Sequence, residues 1–217
     1  MNRLNIQNMA NLGLKFKKIM LVMGLLAPLL LFTGCYKLGI SLYGIDLKVF
    51  DEEYSKDIVI NKALEAELDL EKLYYLDTAF LNVFIDTTKY TQVQMKNALQ
   101  PLQIYFVDSI GNDLTYLLNC FYSGFPNINF NKYDELAAFP TESDTSRLVH
   151  NILLKDRVPY IKKIETDVQI NLNENKKNKI LVFYSELMGR QKKRMFKQVN
   201  TLFNKYDASK YELIYVS

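Results

Sequence analysis

The last forty residues constrain the fold most. Ile180, Leu181, Val182, Phe183 and Tyr184 form an unbroken apolar run. Such a run suits a strand covered on both sides. Met195, Val199, Leu202 and Phe203 then recur at helical spacing, which predicts a helix over about 189–206. A second strand-length apolar run closes the chain at 211–216. A helix of this length between two strands is a crossover rather than a hairpin. It predicts adjacent parallel strands with a right-handed connection.

The rest of the chain extends this pattern. Residues 39–50 alternate apolar and polar, with a slip at Tyr43-Gly44 that predicts a bulged strand. Ile60, Leu64, Leu68 and Leu73 predict a helix over 58–76. Residues 79–86 are apolar at both parities and predict a central strand. A helix over 89–99 and a strand over 103–108 would complete a first βαβ unit. Asp113 is placed to cap a helix bearing Leu114, Leu117, Leu118 and Phe121. Residues 124–140, with Pro126 and Pro140, read as a long loop. Thr141 to Asp144 has the form of a capping box ahead of a helix that Pro159 would stop. Val168, Ile170 and Leu172 alternate as a strand. The expected fold class is a single α/β domain over 39–217. It has a mostly parallel or mixed sheet with helices on both faces.

The beginning of the chain is a different kind of segment. Arg3, Lys15, Lys17 and Lys18 are its only charges, and a 14-residue apolar run from Ile19 to Phe32 comes after them. That run is short of the ~20 residues a spanning helix needs. A basic flank, a short apolar core and a small-residue exit predict a signal peptide over 1–34, hence export of the domain beyond it. Translation from Met9 would give a shorter, more ordinary signal.

The exit, Leu31-Phe32-Thr33-Gly34-Cys35, resembles the lipobox of bacterial lipoproteins. Phe32 stands where that family favours Leu. The resemblance implies a diacylglyceryl group on the Cys35 thiol, cleavage between Gly34 and Cys35, and a short tether over 35–38. Tyr36 holds the place where Asp would signal inner-membrane retention. An outer-membrane protein on the periplasmic face is then implied if the cell is Gram-negative. A plain signal peptide that spares Cys35, or an uncleaved anchor, are the alternatives. The resemblance covers about one sixth of the chain and says nothing of the α/β domain.

Charge and composition exclude several functions. The chain has 27 Lys and Arg against 24 Asp and Glu. Four of the basic residues lie in the signal, so the remainder holds 23 against 24. A nucleic-acid binder would carry a clear basic surplus there. Two Cys and one His exclude a disulfide framework and a Cys-based zinc site, so no metal or other cofactor is expected. Asp51 to Glu53, and Glu65, Glu67, Asp69 and Glu71, lack the turn and spacing of a calcium loop and read as solvated faces. There is no phosphate-binding glycine loop, nucleophile elbow or Cys-x-x-Cys pair.

Two constellations remain. Asp86, Asp108, Ser185 and Glu186 lie just past the carboxyl ends of expected strands, where open α/β sheets bind ligands. Arg190, Lys193, Arg194 and Lys197, with Lys192 between them, form a basic run on the last helix. This run is a candidate contact face for lipid headgroups or an acidic partner. His150 and Cys120 are expected at inward helix positions as structural residues. The expected function is a lipid-anchored envelope protein that binds another protein or an envelope polymer. An envelope hydrolase built on strand-end carboxylates, or a thioredoxin-like fold without redox cysteines, are the alternatives.

Overall fold

The computed structural model describes residues 55–84, 89–118, 130, 131, 134, 136, 148–205 and 209–217. All belong to one compact unit, Tyr43–Ser217. The signal segment, Cys35, the strand expected over 39–50, Asp86, Cys120, nearly all of the loop expected over 124–140 and the capping box at 141–144 lie outside the described residues.

Six strands form a single open mixed sheet in the order β3-β2-β5-β6-β1-β4. They are β1 (Leu73–Leu76), β2 (Leu102–Val107), β3 (Asp113–Leu118), β4 (Ile161–Lys163), β5 (Asn178–Tyr184) and β6 (Tyr211–Val216). The helices used below are α1 (Lys56–Glu65), α2 (Gln92–Ala98), α3 (Leu154–Arg157) and α4 (Gly189–Phe203). The parallel strand–helix–strand unit expected at the C-terminal end is present. β5 and β6 pair in parallel, with Ile180 opposite Leu213 and Val182 opposite Tyr215, and α4 joins them. β6 also pairs in parallel with β1, while β1–β4, β2–β3 and β2–β5 are antiparallel.

Upstream of β5 the fold departs from expectation in several places. α1 is capped by Ser55, whose side chain accepts from the Ile58 amide at 3.3 Å, and it buries Val59 and Ala63 rather than Leu64. It stops at Glu65, and Glu67 turns into the left-handed region at φ 55°. The Leu73-Tyr-Tyr-Leu76 stretch expected at its end is instead β1. Residues 79–84, the described part of the strand expected over 79–86, do not form a strand. Asp77 accepts from the Ala79 amide at 2.9 Å and starts a 3-10 helix over Thr78–Phe84, so the first βαβ unit does not exist.

The helix expected after Asp113 is β3, hairpinned onto β2. Asp108 holds this turn by accepting from the Ile110 and Asn112 amides at 3.0 and 2.8 Å, and Gly111 supplies φ 90°. Val168, Ile170 and Leu172 do not make a strand either. Gln169 forms one isolated bridge to Lys162, and Val168 is exposed.

Alternation along the strands sorts the core into two clusters. Ile180, Val182 and Tyr184 of β5 pack with Met195, Phe196 and Val199 of α4 and with Val59 and Ala63 of α1. Leu181 and Phe183 pack instead with Leu154 of α3 and with Ile161, Ile170 and Leu172.

Candidate functional site

The strand-end residues do not converge. β2 runs antiparallel to β5, with Val107 opposite Lys179 and Leu102 opposite Tyr184. Asp108, after β2, therefore lies at the opposite end of β5 from Ser185 and Glu186. The seven residues of β5 put roughly 20 Å between the two ends. Each residue also has local work. Asp108 is the turn residue described above, and these hydrogen bonds hold its carboxyl below the usual aspartate range. Ser185 caps a 3-10 turn by accepting from the Leu187 amide at 3.3 Å. Glu186 is buried and paired with the Lys192 ammonium. The expectation of a shared carboxylate site at one sheet end is thus corrected for Asp108 and Glu186.

The basic run behaves differently. α4 holds five Lys or Arg residues and no Asp or Glu. One hundred degrees per residue divides them. Lys192 turns inward with Gln191, Met195, Phe196 and Val199. Its ammonium bonds Glu186 and lies 5.5 Å from the centre of the Tyr184 ring. Arg190, Lys193, Arg194 and Lys197 point outward and are exposed. Their spacing puts all four on one stripe about 10 Å long.

Two grooves flank this stripe. The first, of about 500 Å³, lies between α1 and α4 and is lined by Lys62, Lys192, Lys193 and Lys197, with Glu65 and Glu186. Asn200 also reaches it and accepts from the Tyr215 hydroxyl at 2.6 Å; burial pushes that phenol up to about 12. The second, of about 580 Å³, has Phe130, Leu136 and Leu202 along its floor and Arg194, Lys197 and Lys205 among its lining residues. Lys197 belongs to both.

This charge does not serve the helix. The amino end of a helix is its positive pole, where each cation costs about 0.3–1 kcal/mol. Arg190, Lys192 and Lys193 sit there, no acid accompanies them in the first turn, and no side chain caps Met188.

One polar cluster escaped the sequence reading. Arg157 is wholly buried. Its guanidinium carbon lies 4.9, 5.1 and 5.5 Å from the ring centres of Tyr105, Phe183 and Phe80. Nη2 donates to Gln103 Oε1 at 3.1 Å and Asn151 Oδ1 at 3.3 Å, while Nε and Nη1 have no partner. Asn151 Nδ2 donates to the Tyr105 hydroxyl at 2.6 Å, which donates to the Ile152 carbonyl at 3.2 Å. Asp113 Oδ2 accepts from the Leu154 amide at 2.8 Å, so Asp113 caps α3 from across the fold. Burial raises the Asp113 and Tyr105 values and lowers that of Arg157. No motif marks this cluster, because Arg157 sits between ordinary charged and turn residues in sequence.

His150 is exposed in a turn rather than partly buried on a helix. Only its carbonyl has a described bond, accepting from Asn97 Nδ2 at 2.7 Å. Among the described residues no three His, Cys, Asp or Glu side chains gather as a metal site, and no helix is long and apolar enough to cross a membrane. No family model matches the chain, and no curated protein or solved structure matches it. The described residues define an open mixed α/β sheet with a basic helix face between two grooves.

Proposed function

We propose that this chain is a lipid-anchored cell-envelope protein that works by binding, and that the outward face of α4 is its contact surface. The reading takes Cys35 as the acylated terminus, on the lipobox resemblance, and the periplasmic face of an outer membrane as the location in a Gram-negative cell. It also takes the sheet as covered by helices on both faces, α1 and α4 on one and α3 on the other. The partner is an envelope component bearing anionic groups. The observation that carries the reading is the stripe of Arg190, Lys193, Arg194 and Lys197, exposed between two grooves on a helix that holds no acid.

The test uses the full chain in neutral detergent micelles, titrated with inorganic polyphosphate as a model polyanion. Binding is expected to weaken with salt. Replacing the four stripe residues with Gln is expected to weaken it by about thirtyfold, or roughly 0.5 kcal/mol per charge. Equal affinity of the two proteins would refute the contact surface. Anchoring is tested separately: Cys35→Ala is expected to abolish incorporation of a fatty-acid analogue, and undiminished label would refute it.

A further inference from the structure

We infer that an ordered internal water bridges the Arg157 guanidinium and the Asp113 carboxylate, so that the buried cluster beside α3 is a hydrated charge pair. This is independent of the binding role proposed above.

The first argument is the matching of unmet groups. Arg157 Nε and Nη1 are buried donors without a partner, and Asp113 Oδ1 is a buried acceptor without one. Buried polar groups in native folds are nearly always hydrogen-bonded, to protein or to ordered water. These two residues meet at one turn of helix. Asp113 Oδ2 accepts from the Leu154 amide at 2.8 Å, and Arg157 lies three residues further on, along the same side of α3. Each charge acts on the other. Burial raises the Asp113 value, and the Leu154 amide and Arg157 oppose that rise. Burial lowers the Arg157 value, and Tyr105 and Asp113 oppose that fall. Yet no hydrogen bond joins the two side chains directly.

The second argument is that the neighbours are already committed. Gln103 Nε2 donates to the Ala98 and Gln100 carbonyls at 2.9 and 2.6 Å, which fixes its Oε1 on Arg157 Nη2. Asn151 Nδ2 donates to the Tyr105 hydroxyl at 2.6 Å, and Asn151 Oδ1 accepts from both the Ile152 amide and Arg157 Nη2. Turning either amide to reach Nε or Nη1 would break these bonds.

The third argument identifies the occupant. It must accept from a guanidinium N–H and donate to a carboxylate oxygen. A halide does the first and is repelled by Asp113. A metal cation does the second and is repelled by Arg157. Water does both, and a buried water typically makes about three hydrogen bonds, which Nε, Nη1 and Oδ1 can supply. Ordering that water has an entropic cost of the same order as leaving an N–H unmet, so the charge stays close to neutral for stability.

The test is nuclear magnetic resonance of the full chain in neutral detergent micelles. Rotating-frame cross-peaks from water are read at the Arg157 side-chain N–H groups, where their sign separates through-space contact from proton exchange. A contact peak is expected in the wild type, and its loss in Asp113→Leu, which removes the acceptor. No contact peak in the wild type, or one unchanged in Asp113→Leu, overturns the bridge. A crystal structure of the wild-type chain tests it without any variant. It is expected to place an oxygen about 2.7–3.2 Å from both an Arg157 nitrogen and Asp113 Oδ1. A direct bond between the two side chains would overturn the inference. So would an anomalous peak at that position in crystals grown with bromide, which would make the occupant an anion.

Discussion

Arg157 offers a test of how the buried polar cluster is held. Its guanidinium has no hydrogen-bonded carboxylate; two neutral acceptors and three aromatic rings surround it. The two charged hydrogen bonds contribute about 1.5–3 kcal/mol each, and each ring contact about 0.5–2 kcal/mol. Against this stand the desolvation of the cation and the orphaned Nε and Nη1 groups, which cost about 1–3 kcal/mol each. The favourable and unfavourable parts are similar in size, so the charge itself is close to neutral for stability. The volume is not. Arg157→Ala leaves a cavity beside Phe80, Tyr105 and Phe183 and is expected to cost about 3–5 kcal/mol. Arg157→Met keeps most of the volume and removes the charge. Asn151 Oδ1 retains the Ile152 amide at 2.9 Å, and only Gln103 Oε1 loses its described donor. The expected cost is about 1–2 kcal/mol. The assay is urea unfolding followed by far-ultraviolet circular dichroism, since the chain has no Trp. A Met variant as unstable as the Ala variant would refute the reasoning, because it would make the charge, not the packing, the source of stability.

The other predictions concern Asp113 and the buried pair of Glu186 with Lys192. Burial raises the Asp113 value above 3.8, so the folded state holds the proton more tightly and stability rises as pH falls from the folded value to 3.8. Asp113→Asn is expected to be at its most stable relative to wild type near pH 7. Urea midpoints at pH 7, 5 and 4 should show that advantage shrinking with acid; an advantage that grows would contradict it. Lys192→Ala strands Glu186 as an uncompensated buried charge and is expected to cost about 3–5 kcal/mol by the same unfolding assay. Lys192→Met combined with Glu186→Leu should recover more than half of that loss; a double variant no better than the single one would count against a buried pair.

Legibility of the fold in the sequence depended on how many independent signals agreed. In the C-terminal unit two apolar runs flank a helix whose inward positions are mostly apolar, and β5, α4 and β6 form within a few residues of their expected bounds. β3 carried a misleading signal. Leu114, Leu117 and Leu118 have helical spacing, but in the strand Leu117 packs in one core cluster and Tyr116 and Leu118 in the other. A strand covered on both sides has no alternation to read. The better cue was the turn chemistry of Asp108, Gly111 and Asn112 between two apolar runs. Residues 79–84 carried too little of either period. Their conformation is set by Asp77, which caps the 3-10 turn and whose amide donates to the Tyr160 carbonyl at 2.8 Å. A contact so distant along the chain leaves no trace in the local pattern.

The same logic explains why one candidate site dissolved and the other sharpened. A strand-end site requires that strands run the same way, and direction is decided by connections. Once residues 79–84 are not a strand, β2 loses its parallel crossover and takes its direction from the hairpin with β3, which carries Asp108 to the far end of the sheet. The basic face needs no such long-range information, only the phase of one helix. Met195, Val199 and Leu202 fix that phase, and Lys192 falls three residues before Met195 and seven before Val199, on their side. Its inward turn toward Glu186 was therefore readable beforehand. Removing it from the basic run leaves Arg190, Lys193, Arg194 and Lys197 at the i, i+3, i+4 and i+7 positions of the opposite side. That helix holds no acid, and the positive end of its dipole opposes Arg190 and Lys193. Any counter-charge to the stripe therefore comes from outside the helix.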